Sequence, residues 1–159
     1  MPTLVERLNE PPTDRLGALI AESEQYGFRF IRRLVEEWTS GANRFDRPGE
    51  VLFVARIAEQ VVGVCGLNIN PYAAGPKVGR VRHLYVLLAY RRRGVGRRLV
   101  TEVIQAARSR FDSLRLRTQN AEAAEFYERL GFQRCVDVPD CTHVMELCSP
   151  PRRSEVFQR

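Results

Sequence analysis

Apolar positions along the chain follow two periods. Phe30, Ile31, Leu34, Val35 and Trp38 recur at helical spacing with Arg32, Arg33, Glu36 and Glu37 between them, and Ser40-Gly41 follows as a stop signal, which predicts one amphipathic helix. Val95, Leu99, Val100, Val103, Ile104 and Ala107 draw the same stripe for a helix running to about residue 110. Residues 51–57 and 61–67 are continuous apolar runs joined by Ala58-Glu59-Gln60, the pattern of an antiparallel hairpin. Further strands are expected at residues 3–8, 80–87, 114–118, 133–138 and 142–147, with Pro139-Asp140 separating the last two. Pro-Pro-Thr-Asp at 11–14 supplies a turn and a cap for a helix over 14–24, while Asn120 caps another that carries Phe126, Tyr127 and Leu130 and ends at Gly131. Residues 42–50 and 68–79 read as loops. Strand, helix and strand across 80–118 make a right-handed crossover, so those two strands are expected to lie parallel.

A chain of 159 residues with 44% hydrophobic content suits one domain, over 1–148, followed by an irregular basic tail at 149–159. No basic and apolar leader opens it, and no apolar run approaches the roughly eighteen residues of a membrane span, so a cytoplasmic protein away from membranes is expected. The cysteines at 65, 135, 141 and 148 form no C-x-x-C pair. They read as reduced thiols rather than a metal site or a disulfide framework.

Charge changes the picture. Residues 77–117 hold twelve Lys and Arg against Glu102 and Asp112, a net +10 in a chain of net +6. Five of those arginines fall in "YRRRGVGRRL", residues 90–99, at the start of a predicted helix. Helix starts already carry unpaired N–H groups and about half a positive charge, so arginines there repel the dipole. A polyanion resolves the conflict, because N–H groups, dipole and guanidinium groups then share one negative partner. The string is neither a P-loop nor a dinucleotide fingerprint: it lacks the Lys-Ser/Thr end of the first, and Leu99 stands where the second needs its third glycine.

Arg91-x-x-Gly94-x-Gly96 does match the [QR]-x-x-G-x-[GA] motif of the GNAT superfamily of N-acetyltransferases. The surrounding "HLYVLLAYRRRGVGRRLV" resembles that superfamily's strand, loop and helix, and "NAEAAEFYERLGF" resembles its second signature at Asn120, Ala123, Phe126, Tyr127, Gly131 and Phe132. The resemblance implies an α/β fold with a mixed sheet of six to seven strands, a splayed parallel pair and about four helices. It also implies acetyl-CoA as cosubstrate, no metal, and transfer of the acetyl group to a primary amine of a small molecule or peptide by direct attack in a ternary complex. By the same resemblance Leu84, Tyr85 and Val86 meet the pantetheine arm. Arg91, Arg92, Arg93, Gly94, Val95, Gly96 and Arg97 surround the pyrophosphate. Val86 N–H faces the oxyanion, Tyr127 protonates the departing thiolate, and Asn120 contacts the cofactor or caps its helix.

One position departs from the family pattern: Arg80 stands where many members carry a glutamate base early in the strand. Strand alternation puts His83 on the face opposite Leu84 and Val86, and His83 and His143 both read as structural. The first two helices and the 42–50 loop carry more acidic than basic residues, which makes Asp46 and Glu50, with Arg44, the expected acceptor contacts. Homodimerisation is compatible with the sequence. Two other readings stand beside this one: a CoA-binding sensor without catalysis, and a basic nucleic-acid-binding module, which explains the charge but leaves the second signature unexplained.

Overall fold

The computed structural model describes residues 2–147; the tail expected at 149–159 lies outside them, as does Cys148. Seven strands form one sheet in the order β1-β2-β3-β4-β5-β7-β6. They are β1 (Thr3–Arg7), β2 (Val51–Ile57), β3 (Gln60–Ile69), β4 (Val78–Val86), β5 (Ser113–Leu116), β6 (Gln133–Arg134) and β7 (His143–Glu146). Four helices accompany it: α1 (Gly17–Gln25), α2 (Phe30–Ser40), α3 (Val95–Ala107) and α4 (Ala121–Arg129). β4 and β5 are the parallel pair, and every other pairing is antiparallel. The expected mixed sheet and its single parallel crossover are both present.

The centre of the sheet is buried on two faces. Residues 61–68 of β3 are all buried, which is why the run shows no polar alternation. On one face lies α3, whose Val95, Leu99, Val100, Val103 and Ala107 are almost completely buried. On the other lie α1 and α2, with Leu19, Ile31 and Leu34 beneath them, followed by the loop that carries Phe45. Two local expectations are corrected. α1 starts three residues late, because the N–H groups of Arg15 and Leu16 both bond to Pro12 C=O in a tight turn and Asp14 caps nothing. β6 stops at Arg134, because Asp137 and Asp140 adopt positive φ of 61° and 53° and turn the chain before Pro139 and after it. Inside that turn the free Cys135 and Cys141 thiols share a hydrogen bond at 3.0 Å between their sulfurs. α4 ends as its sequence announces, with Gly131 N–H on Glu128 C=O and Phe132 N–H on Tyr127 C=O.

β4 carries a bulge. Tyr85 faces Val64 and Arg82 faces Gly66, so His83 and Leu84 together oppose Cys65, and His83 takes a φ of 62°. The extra residue switches which side chains face α2. On that side Gly66 makes room for the Phe45 ring: a Cβ built there would lie 2.6 Å from Phe45 Cε1. Gly66→Ala is therefore expected to lower stability by about 1–3 kcal/mol, read as a lower urea midpoint at unchanged slope, and Phe45→Leu in the same chain should restore part of it. An unchanged midpoint in Gly66→Ala would show that the ring moves freely.

Candidate functional site

The site begins where β4 and β5 part. Their ladder pairs Val78 with Ser113, Gly79 with Leu114 and Arg80 with Arg115, and stops there. Leu87 N–H donates to Val62 C=O at 2.9 Å, so the N–H of Val86, the preceding residue of an extended strand, points the other way, into the opening. Strand edges with free N–H groups are templates for an extended ligand.

Beyond β4 the chain enters the arginine loop. Arg91 does not point outward: its Nε donates to Val86 C=O at 2.7 Å, and its guanidinium lies over the Tyr85 ring at 5.1 Å from the centroid. Arg98 Nη1 donates to Thr3 C=O, and Arg93 stacks on Tyr90. Arg92 and Arg97 are exposed and have no partner among the described residues. Arg92 (φ 64°) and Gly94 (φ 81°) both take the left-handed conformation, the geometry in which successive N–H groups turn toward one side. α3 then starts without a side-chain cap or an acidic residue in its first turn. Among the described residues no acceptor takes the N–H groups of Val95, Gly96 or Arg97; the first helical bond is Arg98 N–H to Gly94 C=O at 3.0 Å. Free N–H groups at a helix start are an arrangement that suits an anion.

α4 closes the other side. A Cβ built at Gly96 would lie 3.5 Å from Phe126 Cζ and 3.7 Å from Val86 Cγ2, so α3, α4 and the end of β4 meet at one point. Tyr127 is 7% exposed, its ring edge-on to Phe126 and Phe132 at 5.2 and 5.6 Å. Burial, with the Cys65 thiol nearby, drives its phenol far above the usual tyrosine range, so it stays protonated. Asn120 caps α4 by accepting Ala123 N–H on Oδ1 at 3.0 Å.

The histidines are structural in surroundings. His83 packs against Phe30 and Phe45 on the α2 face, and burial pushes its imidazole down to about 3; its Nε2 has no hydrogen-bond partner among the described residues. His143 is enclosed between Glu128 Oε2 at 2.8 Å and Thr142 Oγ1 at 2.9 Å. Arg80, at the register of the family's glutamate, is half-buried, donates to Asp140 C=O at 2.8 Å and lies over the Tyr72 ring. Arg44, Asp46 and Glu50 come together, lining a cavity of about 750 Å³ with Arg7 and Trp38. This cavity lies at the Val51 end of β2, whereas Val86 sits at the Ala55 end, four rungs or about 13 Å away. Glu50 there accepts the N–H groups of Arg47 and Ile69, and Arg44 donates to Trp38 C=O. Among the described residues no three His, Cys, Asp or Glu side chains gather to hold a metal ion, and no helix is long and apolar enough to cross a membrane.

Glu22 of α1 was not singled out by its sequence. One carboxylate oxygen accepts both Tyr85 Oη–H at 2.7 Å and Leu88 N–H at 2.9 Å, which pins α1 to the end of β4; burial and this carboxylate push the Tyr85 phenol up to about 12. One of two glutamates on a weakly amphipathic helix, Glu22 carries no sequence signal for such a contact.

Comparison with known proteins bears on the same features. The model of the acetyltransferase (GNAT) family matches residues 15–132. A crystal structure of a candidate acetyltransferase from Exiguobacterium sp. 255-15 is 31% identical, superposes with a TM-score of 0.81, and the match covers 92% of this chain and 94% of that one. The GNAT family N-acetyltransferase YhbS of Escherichia coli, solved in complex with CoA, shares the fold at 18% identity and a TM-score of 0.70 over 92% of this chain and 82% of that one. N-alpha-acetyltransferase 30 of Xenopus laevis is 29% identical over 115 residues, 70% of this chain and 38% of that protein. The chain spans well under half the length of the curated relatives it matches. With its family model covering α1 to α4, the strands β2 to β5 and the arginine loop, the chain belongs to the GNAT acetyltransferase family.

Proposed function

We propose that this chain is an acetyl-CoA-dependent N-acetyltransferase that acts on a primary amine by direct attack in a ternary complex. The observation that carries the reading is the parting of β4 and β5 directly beside an uncapped helix start: a strand edge for the pantetheine arm leads to N–H groups and arginines for the pyrophosphate. Acetyl-CoA supplies the activated acyl group when bound. Gly94, Val95, Gly96 and the Arg92 and Arg97 guanidinium groups hold its phosphates, and Leu84 and Val86 hold the arm. Val86 N–H, aimed into the opening, stabilises negative charge developing on the carbonyl oxygen, a contribution of roughly 3 kcal/mol at other acyl-transfer sites. Arg91 fixes this donor by gripping Val86 C=O.

Tyr127 donates a proton to the thiolate as it leaves. Its burial keeps the phenol loaded, and a buried thiolate, itself disfavoured by desolvation, gains from accepting that proton. Deprotonation of the acceptor falls to water, since Arg80 offers no base and His83, its imidazole pushed down to about 3, is a weak one. A CoA sensor without transfer shares the binding half of this description and is favoured by Arg80; thioester turnover with an amine separates the two.

Gly96→Glu is expected to fold normally, because the space beside Gly96 admits a Cβ in ordinary contact, yet to abolish CoA binding by calorimetry. Unchanged affinity in the folded variant would remove the phosphate assignment. Tyr127→Phe is expected to lower kcat roughly 10 to 1,000-fold with CoA affinity nearly constant. Because the phenol is held protonated, the wild-type kcat should show no decline from Tyr127 ionisation up to pH 10. Full activity of the variant, or equal loss of binding and turnover, would assign Tyr127 to packing instead.

A further inference from the structure

Asp46 and Glu50 were the acceptor contacts expected from the sequence; outside the arginine loop, a second group of arginines without carboxylate partners among the described residues lies on the two strands that part. Arg80 and Arg115 are register partners at the last rung of the β4–β5 ladder, so they share a face, and alternation puts Arg82 and Arg117 on it too. The opposite face takes Leu114 and Leu116 into the core. Two contacts confirm the common face. Arg80 Nη1 donates to Asp140 C=O at 2.8 Å, and Arg117 Nη1 to Asp140 Oδ1 at 3.2 Å, so arginines from both strands reach one residue of the 135–142 turn. Arg82 Nη1 lies 3.4 Å from Asn68 Oδ1 on the same side.

Carboxylates are scarce there. Asp140 pairs with Arg117, and Glu146 of β7 stands opposite Ser113, two residues along β5 from Arg115. Among the described residues none of Arg80, Arg82 and Arg115 has a carboxylate within ion-pair distance, although other arginines do. Arg80 is also fixed in orientation: the Tyr72 ring lies 5.1 Å from its guanidinium and Asp140 C=O holds one nitrogen. Its burial and the neighbouring Arg82 both oppose its positive charge, so a bound anion would relieve it. A half-buried, oriented guanidinium fork without a carboxylate is suited to a carboxylate or phosphate.

We propose that the acceptor is an amine carrying its own anionic group, a carboxylate or phosphate monoester, which Arg80 and Arg82 bind at the mouth between β4 and β5 while the amine reaches the opening at Val86. This rests on the transferase reading above and names the class of its substrate. Arg82 is four residues from Val86, about 13 Å along an extended strand, and the arginine side chain covers about half of that. The anion therefore sits several bonds from the amine, as in a dipeptide or a hexosamine phosphate, rather than on the adjacent carbon.

Matched acceptors test this: a dipeptide against its C-terminal amide, and glucosamine 6-phosphate against glucosamine, with CoA release as the readout. The charged member of at least one pair is expected to be preferred tenfold or more in kcat/KM, and which pair responds distinguishes carboxylate from phosphate. Arg82→Gln, whose arginine makes only the weak Asn68 contact among the described residues, should raise KM for that member about 10-fold or more, a rise at least several times that for the neutral member, with acetyl-CoA KM unchanged. Arg80→Lys should retain more of the preference than Arg80→Gln. Equal use of both members of both pairs, or equal effects of Arg82→Gln on them, would overturn the proposal. If CoA binds but no amine consumes thioester, the transferase reading fails; calorimetry of the N-acetyl dipeptide and of inorganic phosphate with CoA-loaded protein then still decides the anion site. Binding lost in Arg82→Gln supports it, and no binding to wild type refutes it.

Discussion

A parallel strand pair that stops pairing leaves backbone donors and acceptors with nowhere to go. In a sheet whose interior is otherwise closed, those groups must find a partner or lose stability. Here the opening between β4 and β5 is kept by contacts on either side of it: the β4 bulge at His83, the grip of Arg91 on Val86 C=O, and the carboxylate of Glu22 beneath Tyr85 and Leu88. The same opening exposes Val86 N–H and leads to the uncapped start of α3. On the proposed reading, binding surface and oxyanion donor are both consequences of one interrupted ladder.

The arginine cluster divides into two kinds of work. Arg91 and Arg98 bond to protein carbonyls and shape the loop, while Arg92 and Arg97 remain outward and unpaired among the described residues. Positive charge at a helix start opposes the dipole, and on the proposed reading a bound anion would relieve that repulsion and so stabilise the fold. Tyr127 shows the complementary arrangement, a polar group kept neutral by the aromatic rings around it.

Much of this was legible in the sequence because it is written in local periods. The stripes of α2 and α3, the apolar runs of β2 and β3, the Asn120 cap and the Gly131 stop each depend on residues a few positions apart. The arginine loop was legible for the opposite reason, as a violation of helix-start preferences. What escaped depends on distant residues meeting. Glu22 reaches Tyr85 across 63 positions, and Asp140 reaches Arg80 across 60. Asp14 failed as a cap because Pro12 C=O offered nearer N–H groups a better turn, and the truncated β6 follows from two left-handed aspartates that no alternation pattern marks.

Asp140 holds Arg80 through its carbonyl and Arg117 through its carboxylate, so the 135–142 turn spans the mouth of the opening like a clasp. Little of the helix start, of Tyr127 or of the Arg91 grip depends on that turn. On the proposed reading the two halves are therefore separable: exchanging a single surface turn would re-tune which molecules enter and leave the groups assigned to the donor in place.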